Sequence, residues 1–253
     1  MVPDATDPEG TIERLLAADA SGLDFVAVQD HPYQRRFFDT WTLLSYVAGR
    51  TERVRLLPDV INLPLRPPRM LAKSAASLDV LSGGRVELGI GAGAFWDGVE
   101  AMGGPRRSPK ESVDALEEAI PVLREFWAGE RTGPPPAHPI GIWLGAYGPR
   151  MLRLTGRLAD GWVPSLGGKY MSEEDAPRMQ AAIDAAAERA GRAPGEIERA
   201  VNVMGASDAD ALARIATDLG FSTLLVGLPD EDPVGFVRRL GEEIAPRVRE
   251  LAG

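Results

Sequence analysis

Seven short apolar runs punctuate this chain, and amphipathic stretches fill the intervals between them. The runs are Asp24–Gln29, Val54–Ile61, Val86–Gly91, Gly141–Ala146, Gly161–Ser165, Arg199–Gly205 and Thr223–Leu228. Each is bounded by Gly, Pro or Asp and is apolar on both alternating faces, as in strands covered from two sides. Their starts lie about 33 residues apart on average, the length of a strand-plus-helix unit. Repetition of that unit dictates a parallel sheet with right-handed crossovers.

The intervals read as helices over Pro8–Ser21, Asp39–Gly49, Pro67–Leu81, Ser108–Ala128, Pro149–Leu158, Ser172–Ala190, Ser207–Leu219 and Pro233–Leu251. Several open on Ser or Asp, which cap a first turn, or on Pro, whose missing N–H costs nothing there. A Pro-rich loop, Gly129–Pro139, precedes the fourth run. No linker or low-complexity tract interrupts the pattern, so residues 1–253 read as one α/β domain.

Composition removes several classes of function. The 28 basic residues against 37 acidic ones leave a net charge of −9, which opposes binding to a phosphate backbone. Without cysteine there is neither a disulfide framework nor a thiolate site. His31 and His138 are the two histidines, too few for a multi-histidine metal centre, so no metal is expected. No apolar run approaches the roughly 18 residues of a membrane span, and the acidic start is unlike a signal peptide. A soluble cytoplasmic protein without a membrane partner is the expectation.

In parallel α/β architectures the chemistry gathers where strands end. The first run ends in Asp30-His31, a pair able to hold or move a proton near neutrality, or simply a capped turn. The second contains Pro58 and Asp59, which a regular central strand excludes; either a bulge re-aims the backbone or the strand stops at Leu57. The third runs through Gly89-Ile90-Gly91-Ala92-Gly93, where small residues admit a ligand or form a tight turn. This is a poor match to a dinucleotide fingerprint, being on the wrong strand and lacking its third glycine. After the fourth run, Gly145-Ala-Tyr147-Gly148-Pro149 opens a helix whose first N–H groups can seat a phosphate. Ser165, Gly167, Gly168 and Lys169, after the fifth, add a hydroxyl, flexible backbone and a cation.

GLDFVAVQDHP, LPLRPPRMLAKSAASLDVLSGGRVELGIGAG and GIWLGAYGPRML with LADGWVPS together resemble the bacterial luciferase-like monooxygenase superfamily, over nearly the whole chain. The resemblance implies a TIM (β/α)8 barrel that binds FMN or the deazaflavin coenzyme F420. It implies a cofactor site formed by Asp30, His31, Asp59, Val60, Asn62, Gly91, Tyr147, Gly148, Ser165 and Lys169. Within that site His31 is the proton-transfer residue, and Asp59–Val60 is a bulge, often a non-prolyl cis peptide, behind the ring. Lys169 lies one residue beyond the family's phosphate lysine. Asp30-His31 and the Ser165–Lys169 loop tilt the choice toward F420.

The implied activity is hydride transfer to, or monooxygenation of, a small organic substrate. A non-catalytic flavin binder of the same family is the alternative, and a barrel isomerase of phosphorylated metabolites a third reading. The resemblance also implies a homodimer, since family members are commonly dimers, through the helices here at Asp39–Gly49 and Pro67–Leu81. Three departures stand out. Ala94 replaces a glutamate that some deazaflavin dehydrogenases carry, which speaks against sugar-phosphate oxidation; the substrate-covering loops are short; and the family's first strand has no counterpart before Pro8.

Overall fold

The computed structural model describes residues 1–129, 133–205 and 208–253. The elements follow in the order α1 (Pro8–Ala20), β1 (Phe25–Val28), α2 (Thr40–Ala48), β2 (Arg55–Pro58), β3 (Ile61–Asn62) and α3 (Pro68–Ser82). Then come β4 (Leu88–Gly91), α4 (Trp96–Ala101), α5 (Pro109–Ala128), β5 (Ile142–Leu144), α6 (Pro149–Leu158) and β6 (Gly161–Trp162). The chain finishes with α7 (Ala176–Arg189), β7 (Glu198–Val203), α8 (Ala209–Leu219), β8 (Thr223–Val226), α9 (Pro233–Arg239) and α10 (Ala245–Ala252).

Every strand pairing is parallel. β1 joins β2, and β3 through β8 follow in sequential order. A bridge from Leu56 to Val86 links the two groups. Leu57, Trp143, Val163, Ala200 and Leu225 pack as one cluster with Phe25, Ala27 and Val60. Side chains from the first and last strands can share one cluster only if the sheet curls around a lumen, which is the geometry of a βα barrel. Trp143 fills much of that lumen: a Cβ on Gly161 would lie 2.6 Å from its ring, and Phe25 packs against it at 5.5 Å between centroids. The larger cluster lies between the strands and the surrounding helices, from Leu15 to Leu240.

The helices begin where side chains can satisfy their first N–H groups. Asp7, Asp39, Asp208 and Asp232 each accept from a first-turn amide. Ser108 and Glu111 form a reciprocal capping box at α5, as S-x-x-E before an apolar run predicts. The helix observed as α8 was expected from Ser207; residues 206–207 lie outside the described residues, as do 130–132 of the Pro-rich loop. Two expectations need correction. A short helix, α4, occupies the loop after β4 that had been read only as glycine-rich backbone. The last helix is not continuous over Pro233–Leu251, because Leu240–Ile244 adopts a π-helical turn between α9 and α10.

No strand precedes α1 among the described residues, as the comparison of sequence patterns implied. Met1 nevertheless lies beside β1: its amine donates to the Ala27 carbonyl, and the Gln29 N–H donates to the Met1 carbonyl at 3.1 Å. Among the described residues no hydrogen bond joins this segment to β8. The C-terminal helices pack on α1, where Gly241 lies so close to Ser21, the residue after that helix, that a Cβ there would collide with it.

Candidate active site

The carboxyl ends of the strands carry nearly all the polar residues that the sequence singled out. Between β2 and β3 the chain bulges, and the Asp59–Val60 peptide bond is cis. The glycines of β4 explain how the bulge fits. A Cβ on Gly89 would fall on the Pro58 carbonyl oxygen, one on Gly91 would lie 2.9 Å from Val60 Cγ2, and one on Gly145 3.3 Å from the same methyl. The glycines of β4 thus make room for the bulge, with Val60 resting on Gly91 and on Gly145 after β5. Burial raises the Asp59 carboxyl above the ordinary carboxylate range, opposed by the Met1 ammonium and the Asn202 side chain. A carboxyl held this way is less costly to keep neutral.

Asp30 follows β1 and is buried. Its oxygens are fully engaged: Oδ2 accepts from the Asn62 N–H at 3.0 Å and from Arg66 Nε at 3.2 Å, and Oδ1 accepts from an Arg66 terminal nitrogen at 2.8 Å. The same guanidinium reaches Asp39 at 2.6 Å, the cap of α2. This bidentate pair ties the end of β1 to the turn after β3 and to α2. Arg66 was not picked out from sequence, although an arginine two residues past the Asn62-Leu-Pro turn is the one signal that could have marked it. The consequence for Asp30 is a fixed, inward carboxylate that positions its neighbour.

That neighbour, His31, is half-buried beside Tyr33, Phe37 and Phe95. Its Nδ1 lies 2.7 Å from the Tyr33 hydroxyl. Tyr33 in turn lies against Gly98 of α4, and Phe95, which starts that helix, takes a left-handed φ of 55°. Such a conformation is uncommon for a bulky residue and persists where surroundings impose it. It sets the half-exposed Phe95 ring edge-on to the imidazole. Asn62 is buried, and its side-chain Oδ1 has no hydrogen-bond partner among the described residues.

Burial lowers the His31 pKa below 6.5, with the charge of Asp30 opposing the shift. The imidazole is therefore neutral at pH 7. A proton that the unfolded chain binds more readily than the folded one destabilises the fold as pH falls below about 6.5. In urea titrations at pH 7.5 and 5.5, His31→Gln is expected to lose less stability on acidification than the wild type. Equal losses would remove His31 from the acid response.

A second set of groups gathers at the ends of β5 and β6. Gly148 caps α6 with no side-chain hydrogen bond, and a Cβ there would meet nothing within 4 Å. An uncapped helix N-terminus in open space is a ready anion seat. The Ser165 N–H donates to the Tyr147 hydroxyl at 2.8 Å, fastening the two loops together. Tyr147 stacks on Tyr170 at 5.5 Å, and Lys169 Nζ sits 5.4 Å from the Tyr170 centroid. Gly167 and Gly168 both have positive φ with no neighbour within 4 Å of a Cβ. Tyr147, Gly148, Ser165 and Lys169 are thus brought together, as the sequence suggested.

A further network lies at the opposite ends of the strands. Asp79 accepts from the N–H groups of Val86, Ala137 and His138 and from His138 Nδ1 at 2.7 Å. Glu87 pairs with Arg55 and accepts from the Gly141 N–H. His138 is therefore a fastener of the barrel floor. Among the described residues no cluster of His, Asp and Glu could hold a metal, and no helix is long and apolar enough to cross a membrane.

The family model described as luciferase-like monooxygenase matches residues 2–222. The chain belongs to the luciferase-like monooxygenase family. Its relatives include the F420-dependent glucose-6-phosphate dehydrogenase of Nakamurella multipartita, 27% identical over 97% of this chain and 94% of that protein. The 5,10-methylenetetrahydromethanopterin reductase of Methanolobus tindarius is 32% identical over 84% of this chain and 66% of its own length. Among solved structures, the F420-dependent tetrahydromethanopterin reductase of Methanopyrus kandleri superposes with a TM-score of 0.75 at 19% identity, covering 98% of this chain and 97% of that one. An F420-dependent secondary alcohol dehydrogenase bound to an F420–acetone adduct superposes with a TM-score of 0.72 at 19% identity, over 98% of this chain and 81% of its own. At those identities the superpositions establish the barrel fold, and the family assignment makes this an enzyme of the luciferase-like type.

Proposed function

We propose that this protein is an F420-dependent oxidoreductase, one cytoplasmic domain that works as a homodimer on a small organic substrate. One observation carries the reading. The Asp59–Val60 bulge stands between a neutral histidine and an open anion seat, so a flat ring with a phosphorylated tail has a surface and an anchor at once. The residues suit such a group: Val60 stands half-buried at the bulge, Asn62 holds an unpartnered buried acceptor, and Gly148 leaves its helix end open. The names of the relatives favour F420 over FMN, which remains the competing cofactor.

When bound, the deazaflavin supplies a hydride donor or acceptor at its ring. Everything else falls to this chain. The N–H groups at the start of α6, with Ser165 and Lys169, hold the phosphorylated tail. Val60 backs the ring and leaves its other face to the substrate. His31, neutral and among aromatic rings, sits where a proton accompanies the hydride, which needs only hydrogen-bond reach. Asp30 and Arg66 keep it there. Ala94 stands where some deazaflavin dehydrogenases carry a glutamate, which counts against a sugar phosphate as substrate despite the relatives named for that activity. Exposed Tyr46 of α2 and Met70, Val80 and Leu81 of α3 and its end supply the apolar surface for a dimer.

Titration of the protein into F420 and, separately, FMN tests the reading through ring fluorescence. F420 is expected to bind saturably and more tightly than FMN, with Lys169→Ala weakening it about tenfold, the value of one charge-assisted contact. Failure of both rings to bind would remove the oxidoreductase assignment, and tighter FMN binding would reverse the cofactor. A monomeric mass by light scattering would refute the dimer.

A further inference from the structure

We infer that Tyr33 is a positioning residue for His31, whose hydroxyl donates to Nδ1 and so leaves the proton of the neutral imidazole on Nε2. The site then offers a hydrogen-bond donor where negative charge develops. That suits reduction of an electron-poor C=O or C=N bond better than oxidation of an alcohol, which needs an acceptor there. In the reduction, carbon takes the hydride, Nε2–H hydrogen-bonds the heteroatom as charge builds there, and solvent supplies the proton. This inference deepens the proposed oxidoreductase function and rests on it for the direction of reaction alone.

The contact of one ring nitrogen with the phenol is what the tautomer turns on. A neutral imidazole has one N–H and one lone pair, and the hydrogen bond made by one nitrogen fixes the role of the other. The Nδ1–Oη contact of 2.7 Å is the one hydrogen bond of the His31 side chain among the described residues. The phenol must place its own O–H, and Nδ1 is the acceptor it touches. Burial pushes the Tyr33 hydroxyl up to about 12, so it remains a phenol throughout the neutral range. Asn62 opposes that rise, and its side-chain oxygen is buried without a partner. We assign the Tyr33 O–H to His31 Nδ1, the side-chain nitrogen it touches at 2.7 Å. Gly98 is what allows the arrangement, because a Cβ at that position would lie 2.6 Å from Tyr33 Cγ. Asp30, the nearest charge, is already committed to Arg66.

The chain is suited to a direct test, since it has two histidines. Protein labelled with 15N-histidine should give two imidazole patterns in a long-range proton–nitrogen spectrum, with His31→Ala identifying its own by loss. Above the ordinary histidine pKa, His31 is expected to show a protonated Nε2 and a hydrogen-bonded, unprotonated Nδ1. Tyr33→Phe keeps the ring on Gly98 and should shift that Nδ1 signal to that of an unbonded nitrogen. The pattern of His138, fastened by Asp79 on the barrel floor, stays unchanged if the variant is folded. With cofactor, Tyr33→Phe should lower kcat about tenfold while the cofactor Kd stays within about twofold, a split that a merely structural residue does not give.

A protonated Nδ1 in the wild-type protein overturns the inference, whether or not Tyr33→Phe folds. So does a His31 pattern that Tyr33→Phe leaves unmoved. If the expected tautomer is found but neither ring system binds, the oxidoreductase reading fails and the Tyr33 assignment stands. Binding of F420 with the other tautomer has the reverse meaning.

Discussion

Gly89→Ala should be among the most damaging single-methyl changes in this protein. The added Cβ would land on the Pro58 carbonyl oxygen, and Val60 Cγ1 would lie 3.2 Å from it. Both belong to the bulge, which cannot retreat because Asp59 and Val60 are held between β2 and β3. Overpacking against backbone in a closed core costs about 3 kcal/mol, and here it falls on the surface proposed to back the ring. Urea unfolding should show that loss, and F420 binding to the folded fraction should weaken at least tenfold. Gly148→Ala is the control. Its φ of −75° is ordinary and its surroundings are open, so stability should change by less than about 0.5 kcal/mol. Equal behaviour of the two variants would show that Gly89 does not seat the bulge.

The second large effect is expected far from the cofactor surface. Arg85 is buried, and its guanidinium donates to the carbonyls of Ala48, Thr51, Val54 and Ser82 and to the Thr51 hydroxyl, each at 2.8–2.9 Å. One side chain thereby closes the carboxyl ends of α2 and α3 over the start of β2. Arg85→Met keeps most of the volume but leaves those acceptors without a donor. The cost of such orphaned groups should total about 3–5 kcal/mol. The midpoint of urea unfolding should fall accordingly, while turnover per folded molecule stays within about twofold. A loss under about 1 kcal/mol would mean that water replaces the guanidinium at little cost.

These two positions change the meaning of the segment that most clearly carried the family resemblance. SLDVLSGGRVELGIGAG is part of the family resemblance, and its parts have mechanical duties. Asp79 and Glu87 gather the floor network, Arg85 closes helix ends, and Gly89 and Gly91 yield space to Val60. The candidate site itself was read more directly. His31, Asp59, Val60, Asn62, Tyr147, Gly148, Ser165 and Lys169 do gather at one end of the barrel, because each follows a strand and parallel strands all end on the same side. Asp30 was read as a cofactor contact, but it is turned to Arg66 by a pairing 36 residues apart that no local pattern announces.

The sequence by itself determined the repeat of strand and helix, the parallel sheet, the helix caps and the end of the barrel on which the polar residues meet. These follow from periodicity and turn chemistry, which act over a few residues. What only the tertiary structure decided was how those residues are held. The partnership of Asp30 with Arg66, the seat of the bulge on Gly91 and Gly145, and the contact of Tyr33 with His31 through the space left by Gly98 all join distant segments or depend on where a side chain turns. Such contacts exist only once the sheet has curled, since only then does each side chain find the partner that its local sequence does not name.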